Sequence, residues 1–247
     1  MKTNHSIGAK VLSCSAAFLM IFTSCSKEET EKVNPSPSTA TSRDRGARLS
    51  NGTGTDHGFF YTLYTSGGTS DLTFPNANTY AGNFQIDYTN VGDVVGGKGW
   101  KPGSSRTINY NVGSISGSYN FVGVYGWTKS PLIEYYVVEK GNIPYAGGSG
   151  ADAGRVVNTI SADGHTYTFA KHKQINQPNI TGVNGDFWQY IDNWGGQSFN
   201  GSKSINMTTH INNWKSKGGQ GFGSYDYQVF GLEAFGNKSG SINATVW

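Results

Sequence analysis

Residues 51–247 contain no cysteine, because the two cysteines of the chain, Cys14 and Cys25, both lie near the N-terminus. Disulfides and thiol chemistry are therefore excluded for this region. It also has no surplus of charge: 12 Lys and Arg balance 12 Asp and Glu, so the formal +3 of the chain comes from the first 50 residues. A region of zero net charge is not expected to bind nucleic acid.

Motifs for several common types of catalysis are missing as well. The histidines show no metal-ligand spacing and no G-x-S-x-G motif is present, so neither a metal site nor a serine hydrolase is expected. The segment GDVVGGKG (92–99) resembles a phosphate loop, but it lacks the Ser or Thr that would bind magnesium. Trp100, Lys101 and Pro102 follow it instead of a helix. We therefore expect no cofactor.

The first 25 residues have the pattern of an export signal. Lys2 and Lys10 precede an apolar run from Val11 to Ser24 that is too short to span a bilayer as a helix. The run ends in FTSC, which resembles a lipoprotein signal with Cys25 as the acylated residue, although Phe22 stands where such signals usually have Leu. An ordinary signal peptide cleaved nearby is the alternative. Both interpretations predict export, either to the cell envelope through a lipid anchor or as a secreted protein.

Residues 26–50 are predicted to form a disordered tether. They contain Pro35, Pro37 and many Ser, Thr and charged residues, with too little apolar surface to form a core. The segment CSKEE at the acylation site resembles signals that direct lipoproteins to the cell surface. Residues 51–247 have the length of one domain with its own core.

Aromatic residues are abundant in this domain: all six Trp, all fourteen Tyr and eleven of thirteen Phe follow residue 50. Short alternating runs such as RTINYNV and LIEYYVVE recur between Gly, Asn, Asp or Pro, which predicts antiparallel strands in a sandwich or jelly roll. The segment from Ile205 to Lys217 differs, because Met207, Ile211 and Trp214 recur at helical spacing and Gly218 follows. This predicts one amphipathic helix on the back of a sheet.

The domain has three glutamates, and two of them interrupt apolar strands. Glu134, in PLIEYYVV, shares a strand face with Tyr136; Glu233, in YDYQVFGLEAF, shares one with Tyr225 and Tyr227. An ionised glutamate is seldom placed on an aromatic face without a partner or a task, although a single strand glutamate is about as often simply solvated. The pair is therefore the candidate for catalysis.

Two carboxyl groups on aromatic faces, in a domain without thiols or a basic patch, indicate glycoside hydrolysis. That reaction needs one ionised carboxylate and one protonated acid of raised pKa. Tyrosines beside them can hydrogen-bond the nucleophile and stack on sugars, although packing in the core is the commoner role of a single Tyr. Glu139 lies on the opposite strand face from Glu134, near a strand end, where we expect an ordinary solvated side chain.

Five segments occur in a specific order along the domain: VGGKGW (95–100), VYGWTKSPLIEYYVVE (124–139), NQPNI (176–180), QY (189–190) and DYQVFGLEAF (226–235). Together they resemble glycoside hydrolase family 11, the small endo-1,4-β-xylanases, and the similarity runs in register from about residue 57 to the C-terminus. The resemblance implies an all-β fold, a β-jelly roll of two curved antiparallel sheets with one α-helix packed on the back. It also implies a deep cleft covered by a thumb loop.

The resemblance assigns roles to individual residues. Glu134 matches the nucleophile and Glu233 the acid/base of a retaining enzyme, although Ala234 stands where the family more often has Gly. Asp93 matches the position that contacts the acid/base and adjusts its pKa, where Asp accompanies acidic pH optima; the alternative is a turn residue after Gly92. The matched substrate-binding residues are Tyr64, Tyr125, Tyr136, Pro178, Gln189 and Tyr227.

Three departures from the family pattern concern substrate affinity and not the reaction. Tyr64 stands where Trp is usual, Gln174 where Arg is common, and QYIDNW (189–194) replaces QYWSV. The implied partners are xylan and xylo-oligosaccharides, with a monomeric protein and no membrane contact beyond the lipid anchor. The alternatives are a related jelly-roll β-1,4-glucanase and a non-catalytic carbohydrate-binding sandwich domain.

Overall fold

The structure is a computed structural model that describes Leu49 and residues 51–247. The predicted signal segment with Cys25 lies outside the described residues, as does the predicted tether apart from Leu49. Twelve strands and one α-helix follow along the described chain, with a short 3₁₀ helix at Gly150–Asp152, which confirms the predicted all-β class with a single α-helix. They are β1 (Gly52–Asp56), β2 (Phe59–Ser66), β3 (Thr69–Thr73), β4 (Asn83–Trp100), β5 (Thr107–Gly117), β6 (Phe121–Lys129), β7 (Ile133–Gly141), β8 (Arg155–Ala162), β9 (His165–Gln177), β10 (Gly185–Asn193), β11 (Lys203–Asn206), α1 (Met207–Lys217) and β12 (Ser224–Val246).

Two long strands, β4 and β12, connect the two layers of the domain. The first part of β4, up to Val91, and the last part of β12, from Gly240, belong to one layer with β3 and β5. Their other parts belong to a second layer, in which the strand order is β1-β2-β4-β12-β6-β7-β10-β9-β8. The β4–β12 register shifts between Phe235 and Gly240, where β12 passes between the layers. A bulge of this kind bends a strand and increases its twist.

Strand β10 pairs with β7 in parallel, whereas the other strand pairs of the second layer are antiparallel. Parallel neighbours need a crossover connection. Here the β8–β9 hairpin supplies it, because the chain leaves β7 to form the sheet edge and returns along β10.

The main core lies between the two layers, and the strand period decides which side chains enter it. On β7, Ile133 and Tyr135 are fully buried in this core. Glu134 and Tyr136 point to the opposite face, where Tyr136 packs in a second apolar cluster. Because side chains alternate between the two faces of β7, Glu134 lies outside the main core.

Helix α1 packs against the main core through Met207, Ile211 and Trp214, as its sequence spacing predicts. It begins two residues later than predicted, because Lys203–Asn206 pairs with β5 as strand β11. The Asn206 side chain then caps the helix by accepting a hydrogen bond from the backbone N–H of Thr208 at 3.1 Å. Among the residues that the structure describes, no helix is long and apolar enough to cross a membrane.

Glu139 is buried, so the expectation of a solvated side chain was wrong. It is 1% exposed. Tyr167 donates a hydrogen bond to its Oε1 at 2.5 Å, Tyr110 donates to its Oε2 at 2.6 Å, and Gln197 donates to Oε2 at 3.0 Å. Glu139 does lie on the opposite strand face from Glu134, as predicted, but that face packs in the main core. The donors that make burial tolerable come from distant strands and a loop, which the period of β7 does not reveal.

Candidate active site

A cleft of about 410 Å³ opens on the face of the second layer that is opposite to the main core. Residues from β2, β4, β6, β7 and β12 form its floor, and the β9–β10 hairpin forms one wall. The nine catalytic and substrate-binding residues expected from the sequence all line it: Asp93, Glu134, Glu233, Tyr64, Tyr125, Tyr136, Pro178, Gln189 and Tyr227. Cys25, the tenth expected residue, lies outside the described part of the chain.

Strand register explains why residues distant in sequence meet in this cleft. Tyr125 of β6 is the register partner of Tyr136 of β7. Gln189 of β10 is the register partner of Glu134 of β7. Register partners on one face of a sheet lie close enough for their side chains to interact. Gln189 therefore lies directly beside Glu134. Tyr125 lies beside Tyr136, which is the next residue of β7 on the same face as Glu134.

Glu134 is held by two short hydrogen bonds. Tyr125 donates to its Oε1 at 2.7 Å, and Gln189 donates to its Oε2 at 2.7 Å. Both donors are positioned in turn: Trp127 donates to the Tyr125 hydroxyl at 2.7 Å, and Gln174 donates to Oε1 of Gln189 at 3.1 Å. Since both oxygens of the carboxylate accept hydrogen bonds, its orientation is fixed.

The pKa of Glu134 reflects the balance between burial and these donors. Burial of this side chain, which is 7% exposed, raises its pKa to about 6. The hydrogen bonds from Gln189 and Tyr125, together with the nearby hydroxyl of Tyr136, favour the ionised form and oppose that rise, whereas the charge of Asp93 adds to it. Glu134 is therefore ionised at neutral pH.

Glu233 has a different environment in the same cleft. Its Oε2 atom is buried and has no hydrogen-bond partner among residues 51–247. Burial raises the pKa of Glu233 well above its ordinary value, and the charges of Asp93 and Glu134 raise it further. Glu233 is therefore the carboxyl group that keeps its proton when Glu134 is ionised.

Asp93 lies on β4, two residues before Val95, which is the register partner of Glu233, and therefore on the same strand face as Val95. Burial raises its pKa to about 6, and a hydrogen bond from the backbone N–H of Val94 opposes that rise. Its Oδ1 atom is buried without a partner among the described residues. Asp93 lines the cleft from within a strand, so its position is not that of a turn residue.

Two kinds of aromatic residue line the cleft. Tyr125, Tyr136 and Tyr227 are at most 7% exposed, and Tyr125 packs against the other two at ring distances of 5.2 and 6.0 Å. These three residues therefore present hydroxyl groups and ring edges to the cleft. Tyr64 is 39% exposed and offers a free ring face. It is therefore the residue suited to stacking on a sugar ring.

Tyr225 does not share the cleft face with Tyr227, although their spacing in the sequence predicted that it would. The register of β12 against β6 shifts between Tyr225 and Gln228. This bulge turns Tyr225 to the main core, where its ring lies 5.9 Å from that of Phe222.

Several cleft residues were not recognised from the sequence. Trp127 orients Tyr125, and Phe187 packs against Trp127 at a ring distance of 4.8 Å. Their strand positions are the signal that was available, since Trp127 lies two residues after Tyr125 and therefore on the same face. The loop between β9 and β10 contributes Pro178, Asn179 and Ile180 to the cleft lining, in the place of the thumb loop that the resemblance implies. The described residues contain no group of three or more His, Cys, Asp or Glu side chains that could hold a metal ion.

Comparison with known proteins gives a consistent result for sequence and fold. The family model "Glycosyl hydrolases family 11" matches residues 56–245. The chain is 38% identical to endo-1,4-beta-xylanase 2 of Rhizopus oryzae over 205 residues, which cover 82% of this chain and 88% of the relative. It is 37% identical to endo-1,4-beta-xylanase I of Cochliobolus carbonum over 202 residues, which cover 78% and 84%.

A solved structure also matches. It comes from a structural comparison of two major endo-1,4-beta-xylanases of Trichoderma reesei. The TM-score is 0.62 at 30% sequence identity, and the match covers 81% of this chain and 99% of the other.

Proposed function

Because the chain belongs to glycosyl hydrolase family 11, we propose that it hydrolyses internal β-1,4-xylosidic bonds of xylan with retention of anomeric configuration. The observation that carries this proposal is the contrast between two carboxyl groups in one cleft. Glu134 accepts two hydrogen bonds of 2.7 Å, whereas burial and neighbouring charges keep the pKa of Glu233 well above its ordinary value. Retaining glycosidases need this pairing of an ionised nucleophile with a protonated acid.

In the first step, a carboxylate oxygen of Glu134 attacks the anomeric carbon of the xylose at the cleavage point. The bond between that carbon and the glycosidic oxygen breaks, and Glu233 gives its proton to the departing oxygen. A xylosyl ester of Glu134 remains, and the other part of the chain leaves with a new hydroxyl group.

In the second step, Glu233 takes a proton from a water molecule whose oxygen attacks the same anomeric carbon. The ester bond breaks and Glu134 regains its charge, so two inversions give net retention. Formation of the ester removes the negative charge of Glu134, which is one of the causes that raise the pKa of Glu233. The pKa of Glu233 therefore falls after the first step, which suits its change from acid to base.

The remaining cleft residues position a neutral sugar chain. The exposed ring of Tyr64 stacks on one xylose, and the hydroxyl groups of Tyr136 and Tyr227 face the sugars next to the cleavage point. Pro178, at the thumb tip, covers the chain. The proposed reaction uses no cofactor, and one protein copy holds all of the residues named here.

The test is hydrolysis by the purified protein. We expect reducing sugar to be released from xylan at a much higher rate than from carboxymethyl-cellulose, and proton NMR of the first product should show the β-anomer. Faster release from carboxymethyl-cellulose would favour a β-1,4-glucanase. An initial α-anomer would contradict the retaining mechanism.

The place of action is a separate proposal. We propose that the protein is exported and anchored by a lipid on Cys25, since the FTSC segment resembles a lipoprotein signal. An acyl chain contributes about 0.8 kcal/mol per buried methylene to membrane binding. Fractionation of a Gram-negative host should find the wild type with membranes and Cys25→Ala in the soluble fraction; identical partitioning of the two would contradict acylation.

A further inference from the structure

A second hollow, of about 530 Å³, carries two cationic side chains, Lys101 and Arg106. Phe60, Trp100 and Ser104 also line it, and no acidic residue is part of its lining. We call it the basic hollow. It lies where β2 begins and where β4 leads into β5, outside the site described above.

The basic hollow adjoins one end of the cleft. Alternate residues of β2 share one face, and Thr62 and Tyr64 line the cleft. Phe60 is the next residue on that face, and it lines the basic hollow. Its ring lies 5.2 Å from that of Tyr227, which belongs to the cleft. Trp100 lies on the other face of β4, where it packs against the main core, so the basic hollow reaches around the end of the sheet. A sugar chain that extends from the cleft over Phe60 meets the hollow at this end.

Arg106 is held in place but its charge is not neutralised. Its guanidinium lies 4.3 Å from the centre of the Trp100 ring, and its Nε donates to the hydroxyl of Ser104 at 2.8 Å. Within residues 51–247, no carboxylate lies within ion-pair distance of it. The guanidinium is half-buried, and burial lowers its pKa from the ordinary value. A cation that is positioned, partly desolvated and unpaired is a ready partner for an anion.

Lys101 adds to the positive charge. Its Nζ lies 3.1 Å from Oδ1 of Asp226 and 5.4 Å from the Phe60 ring. Asp226 also pairs with Lys129 through its other oxygen. One carboxylate thus faces two ammonium groups, so this cluster keeps a positive charge that adds to that of Arg106.

We propose that the basic hollow binds the carboxylate of a uronic acid side group on the xylan chain whose backbone occupies the cleft. This inference rests on the proposed function and adds a substrate preference to it. The planar guanidinium of Arg106 matches a carboxylate with two parallel hydrogen bonds, and the Trp100 ring keeps it in that orientation. Lys101 supplies a second, more mobile charge. A neutral side group would gain neither contact.

The experiment compares glucuronoxylan with the same polymer after chemical reduction of its carboxyl groups, so that only the charge differs. Affinity is measured in the background of Glu134→Gln, which prevents consumption of the polymer. We expect this parent to bind the acidic polymer about three- to ten-fold more tightly at low salt, as a partly desolvated ion pair allows. The preference should shrink at high ionic strength because salt screens exposed charges.

Arg106→Gln in that background should remove most of the preference, and Arg106→Lys should retain part of it. The matched control is Lys215→Gln, which removes a charge from the exposed face of α1 and should leave the preference intact. If Arg106→Gln does not fold, as judged by thermal unfolding, Lys101→Gln serves in its place and should reduce the preference.

Equal affinity of the parent for both polymers, or full preference in the Arg106 and Lys101 variants, would overturn the inference. The wild-type protein is assayed in parallel on the reduced polymer. Hydrolysis there without any charge preference would refute the uronic acid site alone, whereas absence of hydrolysis of both polymers would refute the proposed function.

Discussion

Gln189 donates a hydrogen bond from Nε2 to Oε2 of Glu134 at 2.7 Å, and the two residues are register partners in the parallel pair of β7 and β10. Gln174 donates to Oε1 of Gln189 at 3.1 Å, which leaves Nε2 directed at the carboxylate. The side-chain amide is thus fixed in the orientation that favours an ionised Glu134. The parallel pairing of β7 and β10 thus supplies a hydrogen bond that stabilises the charge of Glu134.

Gln189→Ala should shift the acidic limb of the pH–rate profile upward. The amide stabilises the ionised form of Glu134, so its removal raises a pKa that already lies at about 6. A hydrogen bond to a charged group contributes about 1.5–3 kcal/mol, which corresponds to a shift of about one to two pH units. The measurement is kcat/KM on a soluble xylo-oligosaccharide between pH 4 and pH 9.

Gln197→Ala is the matched control for that variant. It removes an amide donor from Glu139, a carboxylate buried in the main core, where Gln197 donates at 3.0 Å. We expect lower thermal stability and an unshifted acidic limb. The same shift in both variants would mean that the pH profile reports general destabilisation and not the ionisation of Glu134.

Asp93→Asn should move the pH optimum upward. The pKa of Asp93 lies at about 6, because burial disfavours its charge. A protonated Asp93 can donate a hydrogen bond to Glu233 and assist its proton transfer, but this form disappears as pH rises through that pKa. The Asn amide carries its hydrogens at every pH, so the assistance persists to higher pH.

Repulsion alone predicts the opposite result for this variant. A charged Asp93 raises the pKa of Glu233, so its removal would lower the basic limb. A lowered or unchanged optimum would therefore contradict the role given to Asp93. Asp87→Asn, on the same strand outside the cleft lining, is the control and should leave the profile unchanged.

Asp192→Asn should destabilise the fold, and more strongly at pH 6.5 than at pH 9.5. His210 is fully buried on α1, with Nδ1 2.6 Å from Asp192 and Nε2 3.6 Å from Asp163. Burial alone would lower the pKa of His210, but the two carboxylates outweigh it and raise the pKa to about 9. The charge on His210 therefore contributes stability that is fully present below the ordinary pKa of 6.5 and is lost as pH rises through about 9. Burial raises the pKa of Asp192, so the pair also weakens when Asp192 gains a proton at low pH.

Removing one partner of a buried ion pair costs about 3–5 kcal/mol. We expect a loss of this order in urea unfolding of Asp192→Asn at pH 6.5, and a smaller difference from the wild type at pH 9.5. Asp186→Asn is the control, since its exposed pair with Lys173 should contribute little. A loss that is the same at both pH values would show that His210 is not charged in the folded protein.

Tyr64→Trp should tighten binding of longer xylo-oligosaccharides. Tyr64 is 39% exposed at the cleft, and an indole offers more stacking area than a phenol. Calorimetric titration of the Glu134→Gln background should show lower Kd values for the Trp variant. Tyr80→Trp enlarges a ring that is 60% exposed outside the cleft lining, and it should have no effect. Weaker binding in Tyr64→Trp would place the sugar elsewhere.

The fold class and the cleft face could be predicted because each strand of a sandwich has its own alternating residue pattern, which can be read from a short segment. The period of two residues placed Glu134 on one strand face with Tyr136 and Glu233 on one face with Tyr227, and all four residues line the cleft. The family resemblance, now confirmed by the family model and the relatives, placed nine expected residues in one cleft. The segment 92–99, which superficially resembles a phosphate loop, is part of β4.

Side-chain contacts between distant segments could not be predicted from the sequence pattern. Glu139 is buried because Tyr110 and Tyr167 converge on it from other strands. His210 and Asp192 meet only when α1 packs on the sheet. A period along one strand records which face a residue occupies, but it contains no information on what that face meets.

The central claim is the division of roles between Glu134 and Glu233, and the most direct test is one pair of variants on two substrates. Glu134→Gln and Glu233→Gln should both lose nearly all activity on xylan, with circular dichroism spectra like the wild type. On an aryl xyloside with a good leaving group, Glu233→Gln should retain a substantial rate, because that departure needs no proton, and Glu134→Gln should remain inactive. Equal loss by both variants on both substrates, or an active Glu134→Gln on the aryl xyloside, would contradict the assignment.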